Sequence, residues 1–185
     1  MPRLFMLLIG ATPPGRNIEQ HDIFFGIGES VKDLLPSLLA FWPEAKNKIH
    51  IDAWRAVEYV NGYKVTVVPA EDRRQGDARL FFINLGGYKE NEFEEFHYKM
   101  IVAAPGKSEA IAASKETAFF RHNSGIKGAN SHIDDKYGID VDDIYEIGDI
   151  LGPGVKDRYR ILVEADGGGK EDVIELGYFK LASFE

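Results

Sequence analysis

The sequence predicts an α+β fold: an internal duplication of one β-β-α-β-β unit about a pseudo-two-fold axis, with a C-terminal β-hairpin extension. Three observations predict it. The first is recurrence within the chain. Arg3-Leu4-Phe5 returns as Arg79-Leu80-Phe81, and at that spacing Gly10 meets Gly86, Glu19 meets Glu95 and His21 meets His97. Ser30 then meets Ser108, Phe41-Trp42 meets Phe119-Phe120, and His50-Ile51-Asp52 meets His132-Ile133-Asp134. The offset grows from 76 (Arg3 to Arg79) to 78 (Ser30 to Ser108) and 82 (His50 to His132), as short insertions in the second copy would make it. A period this long indicates a duplicated domain and not a solenoid of short repeats. The second observation is a pair of nearly unbroken apolar runs, Leu4–Ile9 and Leu80–Leu85, which suit strands buried on both faces. The third is the order of capping and turn signals that follows the first run.

Taken in order, each apolar strand is followed by a polar loop and a second strand, about His21–Ile27 and about Phe96–Ala103. Ser30 suits a helix N-cap with Asp33 at the capping-box position. Val31, Leu34, Leu35, Leu38 and Trp42 then fall at helical spacing, so an amphipathic helix spans 31–42, kinked or restarted at Pro36. Ser108–Arg121 is its counterpart. Val57–Val60 and Tyr63–Val68 flank Asn61-Gly62, a tight-hairpin signal. Strands at Ile144–Ile147 and Tyr159–Glu164 close the second copy, and Gly167-Gly168-Gly169 turns the chain into a last strand over Val173–Leu181. The boundaries are therefore 1–76 for the first repeat, 77–165 for the second and 166–185 for the extension, packed as one compact domain.

Composition narrows the function. The chain has 185 residues, 44% apolar and 28% charged, enough to bury a core without disulfides or a structural metal. It has no cysteine, which excludes a disulfide framework, thiolate metal sites, iron–sulfur ligation and a cysteine nucleophile. A net charge of −8 argues against nucleic acid as a partner. Leu4–Ile9 is too short to span a bilayer, and its near-repetition at Leu80–Leu85 marks it as a mature strand and not a secretion signal. The expected location is the cytoplasm, with no membrane partner.

Four of the five histidines fall at repeat-equivalent positions, each with an acid two residues away: Glu19 and His21, His50 and Asp52, Glu95 and His97, His132 and Asp134. Residues i and i+2 of an extended segment project to the same side, so each pair forms one polar unit. If the two segments of a repeat are neighbours, two imidazoles and two carboxylates meet. Such a set suits a divalent metal, the one cofactor the sequence suggests, or a general base oriented by a carboxylate. The simpler account is structural: a histidine bonded to a carboxylate satisfies polar groups at a core edge. The loop Gly10–Asn17 is a second candidate, because its glycines and Arg16 suit an anion. It lacks the Lys-Ser/Thr ending of a P-loop and leads into a strand, so it reads first as a connecting loop. Glu90–Glu95 and Asp140-Val141-Asp142-Asp143 lack calcium-loop spacing and read as solvated surface.

Gly10, then Gly15-Arg16-Asn17-Ile18-Glu19-Gln20-His21-Asp22, Phe41-Trp42-Pro43, His50-Ile51-Asp52-Ala53-Trp54 and Asn61-Gly62-Tyr63 resemble a bacterial family described as domain of unknown function 1543. The resemblance covers about residues 3–68 and implies one or two copies of the domain per chain. The second half departs from the pattern: Ile18 becomes Glu94, Asp22 becomes Tyr98 and Trp54 becomes Lys136. Any role for Arg16, Asp22 and Trp54 beside the histidine cluster is therefore confined to the first repeat. The resemblance implies no reaction, substrate or cofactor.

Two classes of function fit. The favoured one is a non-catalytic binding or interaction module for a protein or a small polar ligand, because no nucleophile or cofactor motif occurs. The alternative is a metal-assisted or general-base hydrolase using the repeated Glu-x-His and His-x-Asp pairs.

Overall fold

A computed structural model describes residues 1–45, 48–88, 91, 93–123 and 140–184. It has the α+β architecture, and the chain divides into two compact units: Met1–Gln75 together with Ile150–Glu185, and Gly76–Asp149.

The first unit is built around β1 (Arg3–Ala11). This strand lies inside a four-stranded antiparallel sheet of order β10-β3-β1-β2, with β2 Gln20–Gly28, β3 His50–Val57 and β10 Glu175–Lys180. Its unbroken apolar sequence explains the interior place, since Leu4, Phe5, Leu7 and Ile9 are all buried and Met6 and Leu8 are half-buried. Phe5, Leu7, Ile9 and Ala11 form one core with Phe24, Ile51 and the helical segment. The predicted single helix over 31–42 is two pieces: a 3-10 turn, Val31–Leu34, and helix α1, Leu35–Phe41. Pro36 falls in the first turn of α1, where its missing N–H leaves no helical bond unmade. Asp33 accepts hydrogen bonds from the backbone N–H of Ser30 and of Glu29, both at 2.9 Å. These bonds, that from Ser30 first, hold its carboxyl below the usual range.

The hairpin of β4 (Tyr59–Val60) and β5 (Tyr63–Pro69) turns through Asn61 and Gly62 at φ 37° and 88°, the left-handed backbone that this pair supplies cheaply. The second unit contains a sheet of order β7-β6-β8, from β6 (Arg79–Tyr88), β7 (Glu95–Ala104) and β8 (Asp140–Glu146), with helix α2 (Lys107–Asn123) between β7 and β8. Short helices α3 (Ile147–Ile150) and α4 (Pro153–Lys156) then lead to β9 (Tyr159–Ala165).

Three expectations about organisation need correction. The second repeat does not close on its own fifth strand, because β9 pairs with β5 of the first unit from Tyr63↔Ala165 to Pro69↔Tyr159. The extension is not a hairpin, because β9 and β10 join different sheets and β10 pairs with β3. The second division falls between Asp149 and Ile150, so residues 150–165, expected in the second repeat, belong to the first unit. The reason is common to all three: an unpaired strand edge accepts whichever segment matches its register, regardless of chain order. Among the described residues no helix is long and apolar enough to cross a membrane.

Candidate functional site: a histidine and carboxylate cluster over Gly10

The site lies on the face of the first sheet opposite α1. In the register, Gly10 of β1 is flanked by His21 of β2 on one side and His50 of β3 on the other. The two imidazoles thus stand on either side of a residue with no side chain. A Cβ at Gly10 would overlap His50 Nε2 and come within 2.8 Å of Asp52 Oδ2. Glycine within a strand is ordinarily a weakness, and here it supplies the room that convergence requires.

Glu19, two residues before His21, and Asp52, two after His50, complete the cluster. His21 Nε2 is 3.5 Å from Glu19 Oε2 and 3.2 Å from Asp52 Oδ2. His50 Nε2 is 3.1 Å from Glu19 Oε1 and 3.3 Å from Asp52 Oδ1. Each carboxylate therefore touches both imidazoles. Asp52 reaches this position through a β-bulge: Leu8 pairs with Ala53 and Ile9 with Ile51, which leaves Asp52 as the extra residue. On its other flank, β10 makes its own register break between Leu176 and Phe179, and Tyr178 lays its ring over His50 at 4.3 Å between centroids.

The His50 side chain is only 5% exposed, and its Nε2 has no aligned hydrogen bond; nor has the buried Asp52 Oδ2. A network of mutually satisfied ion pairs would not leave both atoms orphaned. One N–H cannot point at two carboxylates at once, whereas a cation at the centre meets every lone pair together. With one donor atom from each, Glu19, His21 and His50 lie within 4.8 Å of one another, near enough for a small divalent ion to draw them together. Two carboxylates with two neutral imidazoles would also cancel the charge of a dication, which eases its partial burial.

The other first-repeat candidates lie elsewhere. Arg16 is exposed in a turn closed by its N–H to the Pro13 carbonyl at 3.2 Å, with Gly15 at φ 80°. Asp22 pairs in register with Ile9, on the opposite face from His21, and its carboxylate accepts the N–H of Ile23 at 2.7 Å. Trp54 packs in the core against Phe5 and Phe184, with centroids 6.2 and 6.5 Å away. The bulge at Asp52 reverses the alternation after it, so Trp54 faces away from the site even though it lies two residues on.

In the second unit, His97 pairs with Gly86 as His21 pairs with Gly10. Its Nε2 lies 3.3 Å from Asp142 Oδ2 and 3.9 Å from Glu95 Oε2. His132 and Asp134, the expected partners, lie outside the described residues. The register instead gives Asp140 the place of His50 opposite Gly86, and Asp142 the bulged place of Asp52, because Leu85 pairs with Val141 and Asn84 with Asp143. Asp142 therefore belongs to a polar site, which its reading as acidic surface missed. The signal was a glycine recurring just after each apolar run, near the end of its strand. Nothing in the sequence pointed to Tyr178.

No curated protein matches the chain. A crystal structure of a protein, Il1583, from Idiomarina loihiensis is similar over 98% of this chain and 98% of its own, with a TM-score of 0.65 at 22% identity, which shows a shared fold. Residues 16–67 match the family model for Domain of Unknown Function (DUF1543), a stretch that includes Glu19, His21, His50 and Asp52.

Proposed function

We propose that the first unit is a binding module for a divalent transition-metal ion of the zinc class, held by Glu19, His21, His50 and Asp52. The observation that carries this reading is the buried Nε2 of His50, without an aligned hydrogen bond, beside Glu19 Oε1 at 3.1 Å and Asp52 Oδ1 at 3.3 Å. Mixed imidazole and carboxylate donors suit zinc and its neighbours better than calcium or magnesium. The reading departs from the expected protein or small polar ligand and takes up instead the divalent metal, the one cofactor that the sequence suggests. Glu19 and His21 keep the cluster open on one side, with side chains 43% and 41% exposed. That openness favours a second reading, metal-assisted hydrolysis, in which Glu19 yields its position to a water.

The test is zinc titration of the full chain by calorimetry after chelation and dialysis. Wild type is expected to bind zinc with a heat lost in His50→Ala. His21→Ala is expected to lose it too, with the metal-free melting temperature nearly unchanged. If the cluster serves only the fold, wild type binds no zinc and His21→Ala loses about 1–3 kcal/mol of stability, since it strands a carboxylate partner.

A further inference from the structure

We infer that the second unit holds a separate divalent-cation site of different selectivity, formed by Glu95, His97 and Asp142 and suited to a harder ion such as Mn²⁺. The inference stands on unit 2 alone and does not require the first site to be occupied.

The geometry repeats element by element. Glu95 and His97 lie on β7, with His97 opposite Gly86, as His21 on β2 lies opposite Gly10 with Glu19 just before that strand. Asp142 is the extra residue of a β-bulge in β8, as Asp52 is in β3. Gly86 is the same device as Gly10: a Cβ there would overlap the Asp142 carboxylate. The donor atoms of Glu95, His97 and Asp142 all lie within 4.8 Å of one another. Gly86 costs its strand side-chain packing and conformational restraint, and what it admits in return is this carboxylate beside this imidazole.

The two sites differ in their donors. Where the first has His50, buried and stacked on Tyr178, the second has Asp140 in the register. The described donors are one imidazole and two carboxylates, all about a third or more exposed. One imidazole fewer among the described donors, and hydration in place of burial, move a site away from zinc, toward ions that accept oxygen ligands and keep their waters. The second site is therefore the weaker one and the one in faster exchange.

The experiment follows free Mn²⁺ by its six-line electron paramagnetic resonance signal as full-length protein is added, in wild type, in His21→Ala/His50→Ala and in His97→Ala. The first-unit double variant is expected to keep one Mn²⁺ equivalent. His97→Ala should weaken that binding about tenfold or more while leaving the zinc heat of the first unit intact. Asp142→Asn, nearly isosteric, repeats the test if His97→Ala does not fold. If the double variant binds no Mn²⁺, or if neither second-unit change alters its binding, the inference is overturned. If Mn²⁺ binds through His97 but no zinc binds through His50, the first-unit proposal fails and this one stands.

Discussion

Gly10 sits between two histidines, and a side chain in its place would press on His50 and Asp52. Its backbone is that of an ordinary strand residue, so conformational freedom is not what places glycine there; the absent side chain is. Gly10→Ala is therefore expected to lower zinc affinity about tenfold or more, as displacement of a metal ligand's surroundings does, while the far-ultraviolet circular dichroism stays that of wild type. Unchanged affinity in a calorimetric titration would mean that the two imidazoles do not converge over this strand. The four cluster residues were legible as two i, i+2 pairs, because alternation is a local property of extended backbone. Their meeting across three strands was not, since it depends on which strands are neighbours. Trp54 shows the limit of the same rule: one bulged residue sends it to the core.

The helical segment shows which features of an element its own residues determine. Apolar spacing marked Leu38 as inward, and Leu38 is fully buried against the sheet core. Leu38→Ala is expected to cost the first unit about 2–5 kcal/mol, the range for emptying a sealed core position. Urea unfolding followed by tryptophan fluorescence reports on this unit, because Trp42 and Trp54 both pack in its core. A loss below about 0.5 kcal/mol, the surface range, would contradict this helix phase. The break at Pro36 was legible as a proline signal, but not the change from a 3-10 turn to an α-helix. That choice depends on how each turn rests on the sheet.

At the scale of the molecule, the first unit is closed by residues from the far end of the chain. The Asp172 carboxylate accepts hydrogen bonds from the N–H of Glu58, at 3.1 Å, and of Tyr59, at 3.0 Å, across more than a hundred residues of sequence. Burial pushes its carboxyl above the ordinary value of 3.8, against the opposing effect of these bonds. A raised folded pKa means that the native state prefers the protonated form. The contribution of this group to stability is thus greatest below 3.8 and falls as pH rises from there through the folded value. Asp172→Asn keeps an oxygen acceptor and removes the charge, so at pH 7 it is expected to be at least as stable as wild type. Asp172→Ala abandons both N–H groups and is expected to lose about 1 kcal/mol. Thermal melts of the two variants at pH 4 and pH 7 check the order and the sign; a clear loss in Asp172→Asn at pH 7 would contradict it.

The sequence by itself determined the α+β class, the interior strands Leu4–Ile9 and Leu80–Leu85, the Asn61-Gly62 turn and the pairing of Glu19 with His21 and of His50 with Asp52. These follow from hydrophobic period, turn chemistry and side-chain type, all local properties. The tertiary structure alone decided that β9 returns to β5, that β10 flanks β3 and brings Tyr178 over His50, and that Asp140 and Asp142 take the register places of His50 and Asp52. Strand partners and bulges are settled by competition among open edges across the whole chain, and a one-residue shift in register changes which side chain faces the site.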